Sequence, residues 1–409
     1  MMKLSISIHG GFCASREAYL RLRGIFADFQ RFADQYDELQ PQKWLLPEGV
    51  DLSRVVAKMK FCRREQVKLL SDPAHDIENL LTVAERDIEN LNDWERGNLV
   101  QFRRILTHFS GFIVDPVLID LYEDTLGNAV HQWKQTLETA NTQGREAAFA
   151  QQIPILECVF EMRRQIAEEP ARRMNKKISE ACLDYLNPNT HYGDVEAVFE
   201  ALKDKHRHMF AGMQKQDAIT PRPLPLPPIA ADKQLAFFET IIQSFLEAAG
   251  WHEAALAHGD IEIKTSTTQT GFCWGHGRNI TLAVGVDENN FLDGLAYTMH
   301  ECGHLLYLLE MNRLPKDIQG QPVAQFNGFG IHEFAAMFFE QAGLRRRFFE
   351  IMSPTIQEAL GVSGAEWSAE NLYRLANRPN LENTEWETSE QVLMPNMAWR
   401  IEAERKILD

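Results

Sequence analysis

Apolar side chains recur at three- and four-residue steps along most of this chain, the period of helices with one buried face. Over 15–38 they fall at Tyr19, Leu20, Leu22, Ile25, Phe26, Phe29 and Phe32, until Pro41, Pro47 and Gly49 interrupt. The pattern resumes over 52–70, 76–91 and 92–110, the last through Trp94, Leu99, Phe102, Ile105, Leu106 and Phe109. Beyond Gly111 and Pro116 it predicts two more long helices, Val117 to Thr139 and 145–167. Pro221 to Pro228 holds five prolines (221, 223, 225, 227, 228) and must be extended. It reads as a structural link (221–230) between a helical half at 1–220 and a second half at 231–409, the whole forming one compact unit. The second half opens with a helix over 231–249 (Leu235, Phe238, Ile241, Ile242, Phe245, Leu246) closed by Gly250. Only 260–286 alternates with period two, at Ile261, Ile263 and Thr265 and again at Ile280, Leu282 and Val284. Between these runs, the glycines and aromatics of Thr270 to Arg278 read as a hairpin turn. The helices share no short fixed repeat, which excludes a solenoid.

One helix carries chemistry. Phe291, Leu295, Met299, Cys302, Leu306 and Leu309 form an apolar stripe, with Pro315 beyond its end. Beside the stripe runs His300-Glu301-Cys302-Gly303-His304, an HExxH motif. Histidines at i and i+4 project from one face, so both imidazoles can reach one metal ion. Glu301 is placed to take a proton from water at the open metal position. A third ligand is available at Glu333, 29 residues after His304 (333 − 304), on a second helical segment from Gly330 to Glu340. Two antiparallel helices would bring it opposite the histidines, completing the His2Glu set of catalytic zinc sites. Glu340, seven residues on, shares that face and can orient a ligand. Cys302 lies on the apolar stripe and reads as core. Arg345, Arg346 and Arg347 follow Gly343 and read as the basic end of a helix, where the dipole favours cations.

Composition narrows the classes. The 409 residues carry 42 basic and 58 acidic side chains, a formal charge of −16. That balance argues against nucleic acid and anionic membrane as partners. No apolar run approaches the roughly 20 residues of a membrane span. The opening apolar run is broken by His9 and two glycines, so no secretory signal is expected. The six cysteines have no close pairs and read as reduced cytoplasmic thiols.

The residues from Asp287 to Leu309, the His332-Glu333 helix and its Phe339-Glu340-Gln341 continuation resemble the carboxypeptidase Taq family of zinc metallocarboxypeptidases. Asn92-Asp93-Trp94-Glu95-Arg96-Gly97-Asn98-Leu99 looks like that family's Trp-Glu-Arg-x-Asn-Leu stretch, and Arg400-Ile401-Glu402 like its late helix. The resemblance implies a mainly α, large helical metallopeptidase fold with a deep cleft and a small hairpin or sheet just before the HExxH helix. It implies one Zn2+ per chain, held by His300, His304 and Glu333, with Glu301 as general base; Co2+ or Mn2+ could replace it. The substrate would be a peptide, shortened from its C-terminus, and the family analogy suggests a homodimer. In peptidases of this type an edge strand before the zinc helix can take the substrate backbone by strand addition. His332, Arg278 and Tyr297 are candidates for holding substrate or the oxyanion.

The departures from the family pattern point elsewhere. Ser266 to Thr270 lack the family's His-Pro-Phe. Glu385 stands where an arginine is expected to hold the substrate's carboxylate, and Asn396 where a histidine is usual. The chain ends at Asp409, before a Gln-Asp-x-His-Trp segment, and a naturally shorter chain is expected. A carboxylate at Glu385 would repel a terminal carboxylate. An endopeptidase or oligopeptidase, or a non-catalytic peptide-binding descendant that keeps zinc, therefore remains an alternative to the carboxypeptidase.

Overall fold

The computed structural model describes residues 2–45, 49–219, 222–251, 261–265, 271–276, 279–325, 328–378 and 390–409. Helices dominate, with one three-stranded sheet, as the periodicity and the resemblance imply. The chain falls into two compact units. One comprises Met1–Leu186, Met311–Asn327 and Ile407–Asp409; the other comprises Asn187–Glu310 and Gly328–Lys406.

In the first unit the helices Met2–Asp37, Leu52–Ser71, Ile77–Glu85 and Asp93–His108 turn their stripes to one core. Phe26 and Phe102, fully buried, stack with centroids 4.2 Å apart and planes 13° apart. Asn92 starts its helix with a capping box: its side chain accepts the Glu95 N–H (3.0 Å), and Glu95 Oε2 accepts the Asn92 N–H (3.1 Å). Two long helices, Val117–Gln143 and Arg145–Met174, meet at Gly144, whose φ of +94° suits glycine. The second continues past the predicted end at 167, through Pro170, to a left-handed cap at Asn175 (φ +53°).

The second unit holds Tyr192–Ile219, Ala231–Ala248, the sheet, Phe291–Met311, Phe329–Gly343, Arg346–Leu360 and Ala369–Ala376. Residues 222–230 form neither helix nor strand, and Asn371 bonds both the N–H (2.8 Å) and the C=O (2.9 Å) of Leu224. The strands are β1 (Ile261–Thr265), β2 (Phe272–His276) and β3 (Asn279–Val284), in the order β1-β3-β2. This differs from the hairpin read from the sequence. The expected arms, β1 and β3, pair in parallel, with Ile261 opposite Ile280. The hairpin is β2 with β3, antiparallel, with Cys273 opposite Leu282. The supposed turn contains Phe272 and Trp274, whose large side chains suit a pleated, half-buried surface. Only 277–278 are left to connect the two strands, the length of a tight hairpin.

The three arginines after Gly343 are also placed differently. The helix ends at Gly343, and Arg346 opens the next one. A helix start disfavours cations. Here Arg346 is compensated by Glu370 and by the Tyr373 ring 4.4 Å away, and Arg347 by Glu350 at 3.1 Å. Replacing Phe102 by Ala should leave a cavity in the first unit and cost about 3–5 kcal/mol. A urea titration read by far-UV circular dichroism should show the earliest transition moving to lower denaturant.

Candidate metal centre

The HExxH helix, Phe291–Met311, is anchored by Phe291. That ring stacks on Phe238 (5.7 Å, 17°) and meets Trp367 edge-on (5.8 Å). Its glycines are close-packing positions. A Cβ on Gly294 would lie 2.9 Å from the Phe238 ring. On Gly303 it would lie 2.5 Å from Ala336 Cα and 2.6 Å from the Ala335 carbonyl. A Cβ on Gly343, in the neighbouring helix, would lie 2.8 Å from Met299 Cγ. The helix Phe329–Gly343 can therefore lie directly against the HExxH helix.

That approach brings Glu333 to the histidines. Its Oε2 lies 3.4 Å from His300 Nε2 and 3.7 Å from His304 Nε2. One ligand atom from each of the three residues falls within 4.8 Å of the others. Bonds of about 2.0–2.1 Å in a tetrahedron separate ligand atoms by about 3.3 Å. The donor set and its spacing therefore fit a small tetrahedral cation such as zinc. His300 Nδ1 bonds Glu340 Oε2 at 2.9 Å, which leaves Nε2 directed at Glu333.

Burial and the close carboxyls set the charges around this group. Burial works against a proton on His300, but the bonds to Glu333 and Glu340 outweigh it and raise its pKa to about 10. Glu301, only 4 % exposed, is raised to about 8, first by burial and then by Glu333 and Glu340, with His300 opposing. Its Oε2 has no hydrogen-bond partner. His304 is lowered to about 3, chiefly by burial and then by the neighbouring His332. Burial would raise Glu333, yet the bond from His300 and the nearby imidazoles hold it below the usual carboxylate value.

Of the residues singled out in the sequence, His300, His304, Glu333, Glu301 and Glu340 converge here. His332 stacks on His304, with centroids 4.0 Å and planes 16° apart, and meets Tyr307 edge-on at 5.4 Å. Tyr297 has a buried hydroxyl with no hydrogen-bond partner, and no bond ties it to the cluster. Arg278 and Glu385 lie outside the described residues, and nothing is described of the Asn396 side chain. Cys302 is core, fully buried. The sequence reading missed Gly271, where a Cβ would lie 2.8 Å from Glu301 Cγ, and the Cys273 N–H, which bonds the Glu301 carboxyl. Both place β2 against Glu301, and only the strand pairing, not a spacing, could have revealed them.

An HExxH helix faced by a glutamate from a second helix is the arrangement of a metal-dependent peptidase. The chain belongs to the carboxypeptidase Taq (M32) metallopeptidase family, whose model matches residues 59–388. It is 24% identical over 303 residues to Thermostable carboxypeptidase 1 of Pyrococcus furiosus, covering 73% of this chain and 56% of that protein. It is 27% identical over 130 residues to Carboxypeptidase 1 of Bacillus subtilis, covering 32% and 25%. The chain thus spans about half the length, or less, of the curated relatives it matches. Among solved structures, Trypanosoma cruzi metallocarboxypeptidase 1 superposes with a TM-score of 0.76 at 21% identity, over 96% of this chain and 74% of that one. The Pyrococcus furiosus carboxypeptidase structure titled Apo-Mg gives 0.73 at 20%, over 95% and 74%. These superpositions show the shared fold.

Two outcomes test the centre. Gly303→Ala should gain about 1 kcal/mol if helix propensity alone mattered. It should instead push the two helices apart and weaken zinc binding by about tenfold or more, read by competition with a chromophoric chelator. Zinc binding should also release at least one proton at pH 7, because His300 is protonated below about 10 while His304 is not. Affinity should therefore climb about tenfold per pH unit through the neutral range. Calorimetry in buffers of different ionisation enthalpy counts the protons.

Proposed function

We propose that this protein is a zinc metallopeptidase that removes C-terminal residues from peptides, with its chemistry in 231–409. The observation that carries this reading is Glu301, a buried carboxyl with one oxygen unpartnered, beside a His2Glu ligand set. A purely structural metal site has no use for such a base. His300, His304 and Glu333 hold the ion, and Glu340 fixes the His300 ring through Nδ1. When bound, zinc polarises the peptide carbonyl and makes the attacking water more acidic. Glu301 takes the proton of that water through Oε2 and delivers it to the leaving amine. A cation nearby also draws the Glu301 carboxyl back toward its ionised form, which a base requires.

β2 is an edge strand of its sheet, and it contacts Glu301 through Gly271 and Cys273. An extended substrate paired along it would carry its backbone past the base. His332, stacked on His304, Tyr297, with its unpartnered hydroxyl, and Arg278 are the candidate oxyanion or substrate donors. Among the described residues no helix is long and apolar enough to cross a membrane, and no cysteine is in a disulfide. We place the protein in the cytoplasm, as a homodimer by analogy with the family, with Co2+ or Mn2+ as substitutes for zinc. Glu385, at the family's arginine position, favours a second reading in which the cuts are internal.

Glu301→Gln should lower peptide hydrolysis by about 10²–10⁴-fold without loss of zinc. A mixed peptide library read by mass spectrometry decides the mode. Stepwise C-terminal loss establishes the carboxypeptidase, internal cuts the endopeptidase. No cleavage by zinc-loaded protein leaves a non-catalytic peptide binder.

A further inference from the structure

The first unit contains a cavity of about 320 Å3 that plays no part in the metal chemistry. Its wall includes Arg63, His108, Tyr122, Met162, Arg163 and Tyr185, drawn from five helices. The volume lies at the lower end of the roughly 300–1,000 Å3 of small-molecule sites, and most of its wall is aromatic or aliphatic. None of its residues is shared with the His300 cluster.

Arg63 sets its character. The residue is 9 % exposed, and its guanidinium stays charged at any ordinary pH. Four rings surround it: Tyr36 at 4.5 Å, Phe109 at 5.2 Å, Phe112 at 5.8 Å and Tyr122 at 5.8 Å. Its Nη1 donates to Gln66 Oε1 at 3.1 Å, while its Nε is buried with no acceptor. Aromatic faces compensate a buried cation only in part. The nearest buried carboxyl, Glu123, is 1 % exposed, and neither of its oxygens accepts a hydrogen bond. Burial raises its pKa, with Arg63 foremost among the opposing groups, and Lys43 and Lys60 also draw on its charge. The acid beside the lining residue His108 is already engaged: Asp184 bonds His108 Nε2 at 3.0 Å and Lys176 at 3.2 Å. Arg163 adds a second guanidinium to the wall.

We propose that this cavity binds a small organic carboxylate, its apolar or aromatic body against Phe112, Tyr122 and Met162 and its charge on the Arg63 guanidinium. A buried fork with an unmet donor, set in an apolar chamber, selects for an anion that brings its own hydrophobic body. Inorganic anions would leave the chamber unfilled. Neutral analogues could accept from Nε but would leave the guanidinium's charge uncompensated.

The test uses the full-length zinc-loaded protein, with phenylacetate and its neutral isostere phenylacetamide as probes, in titration calorimetry. Phenylacetate should bind one saturable site at least about tenfold more tightly than the amide. Ala167→Leu, which fills the chamber from a lining position, should abolish that binding, while peptidase activity stays unchanged. Arg63→Met should remove the preference for the charged probe. Because a buried cation is removed, its fold is checked by circular dichroism, and the wild-type comparison stands without it. Equal affinity for the two probes, or no saturable binding of either, overturns the proposal. So does binding that survives Ala167→Leu but disappears in His304→Ala, which would place it at the metal centre.

Discussion

The metal centre depends on one distance of closest approach, that of the HExxH helix to its neighbour at Gly303. The backbone of Ala335 and Ala336 occupies the space a side chain would need there. Glu333, one turn earlier on that helix, therefore reaches both imidazoles at 3.4 and 3.7 Å. An added methyl group would shift the helices by a sizeable part of an ångström, and the donors would leave the edge length of a tetrahedron. Glycine in a helix costs about 1 kcal/mol against alanine. The stacked pair Phe238–Phe291 and the edge-on pair Phe291–Trp367, each worth about 0.5–1.5 kcal/mol beyond its buried area, can offset two such positions. The helix is thus stabilised at its start, which leaves its middle free to be thin.

The charges obey the same economy of space. Three carboxyls, Glu301, Glu333 and Glu340, face His300, with Glu301 the most deeply buried of them. Without an ion the cluster supplies its own positive charge, by keeping His300 protonated well into the alkaline range. His304 cannot take that role, since burial and its stacked neighbour His332 hold it neutral. One imidazole is therefore already in ligand form, while the other exchanges a proton for the metal. A divalent cation held by these ligands would neutralise the carboxyls more fully than a single imidazolium does.

Much of this was legible in the sequence because it follows a helical period. The i, i+4 histidines, Glu301 between them and Glu340 seven residues beyond Glu333 all sit where 3.6 residues per turn puts them. Pairing Glu333 with the histidines needed a second helix and a turn back, which the prolines and glycines of 315–322 supplied. What was missed lacks a period. β2 hid in a glycine-rich stretch because Gly271 and Gly275 look like turn residues, although Gly271 is a contact position against Glu301. The three arginines after Gly343 obeyed the dipole rule for a helix end, but the next helix begins at the second of them. The Arg63 cavity draws on positions from 63 to 186, and no spacing announces it.

The Trp-Glu-Arg-x-Asn-Leu resemblance, far along the chain from the chemistry, has a physical basis of its own. Asn98 is fully buried; its side-chain oxygen accepts the Val323 N–H at 3.2 Å, and its amide donates to the Tyr19 hydroxyl at 3.3 Å. Gly97 leaves room for Val323, whose Cγ2 would lie 2.8 Å from a Cβ there. Val323 belongs to the connection between the two ligand-bearing helices. Pinning it halves the free length of that connection, which is worth only about 0.6 kcal/mol in loop-closure entropy. Such a gain is too small to be the reason for a buried amide held on both sides. The larger consequence is positional: within the first unit the amide fixes where the backbone at Val323 lies against the helix Asp93–His108. Asn98 therefore orders a segment of the first unit, while in the second unit Gly303 sets how closely the Glu333 helix lies against the histidines.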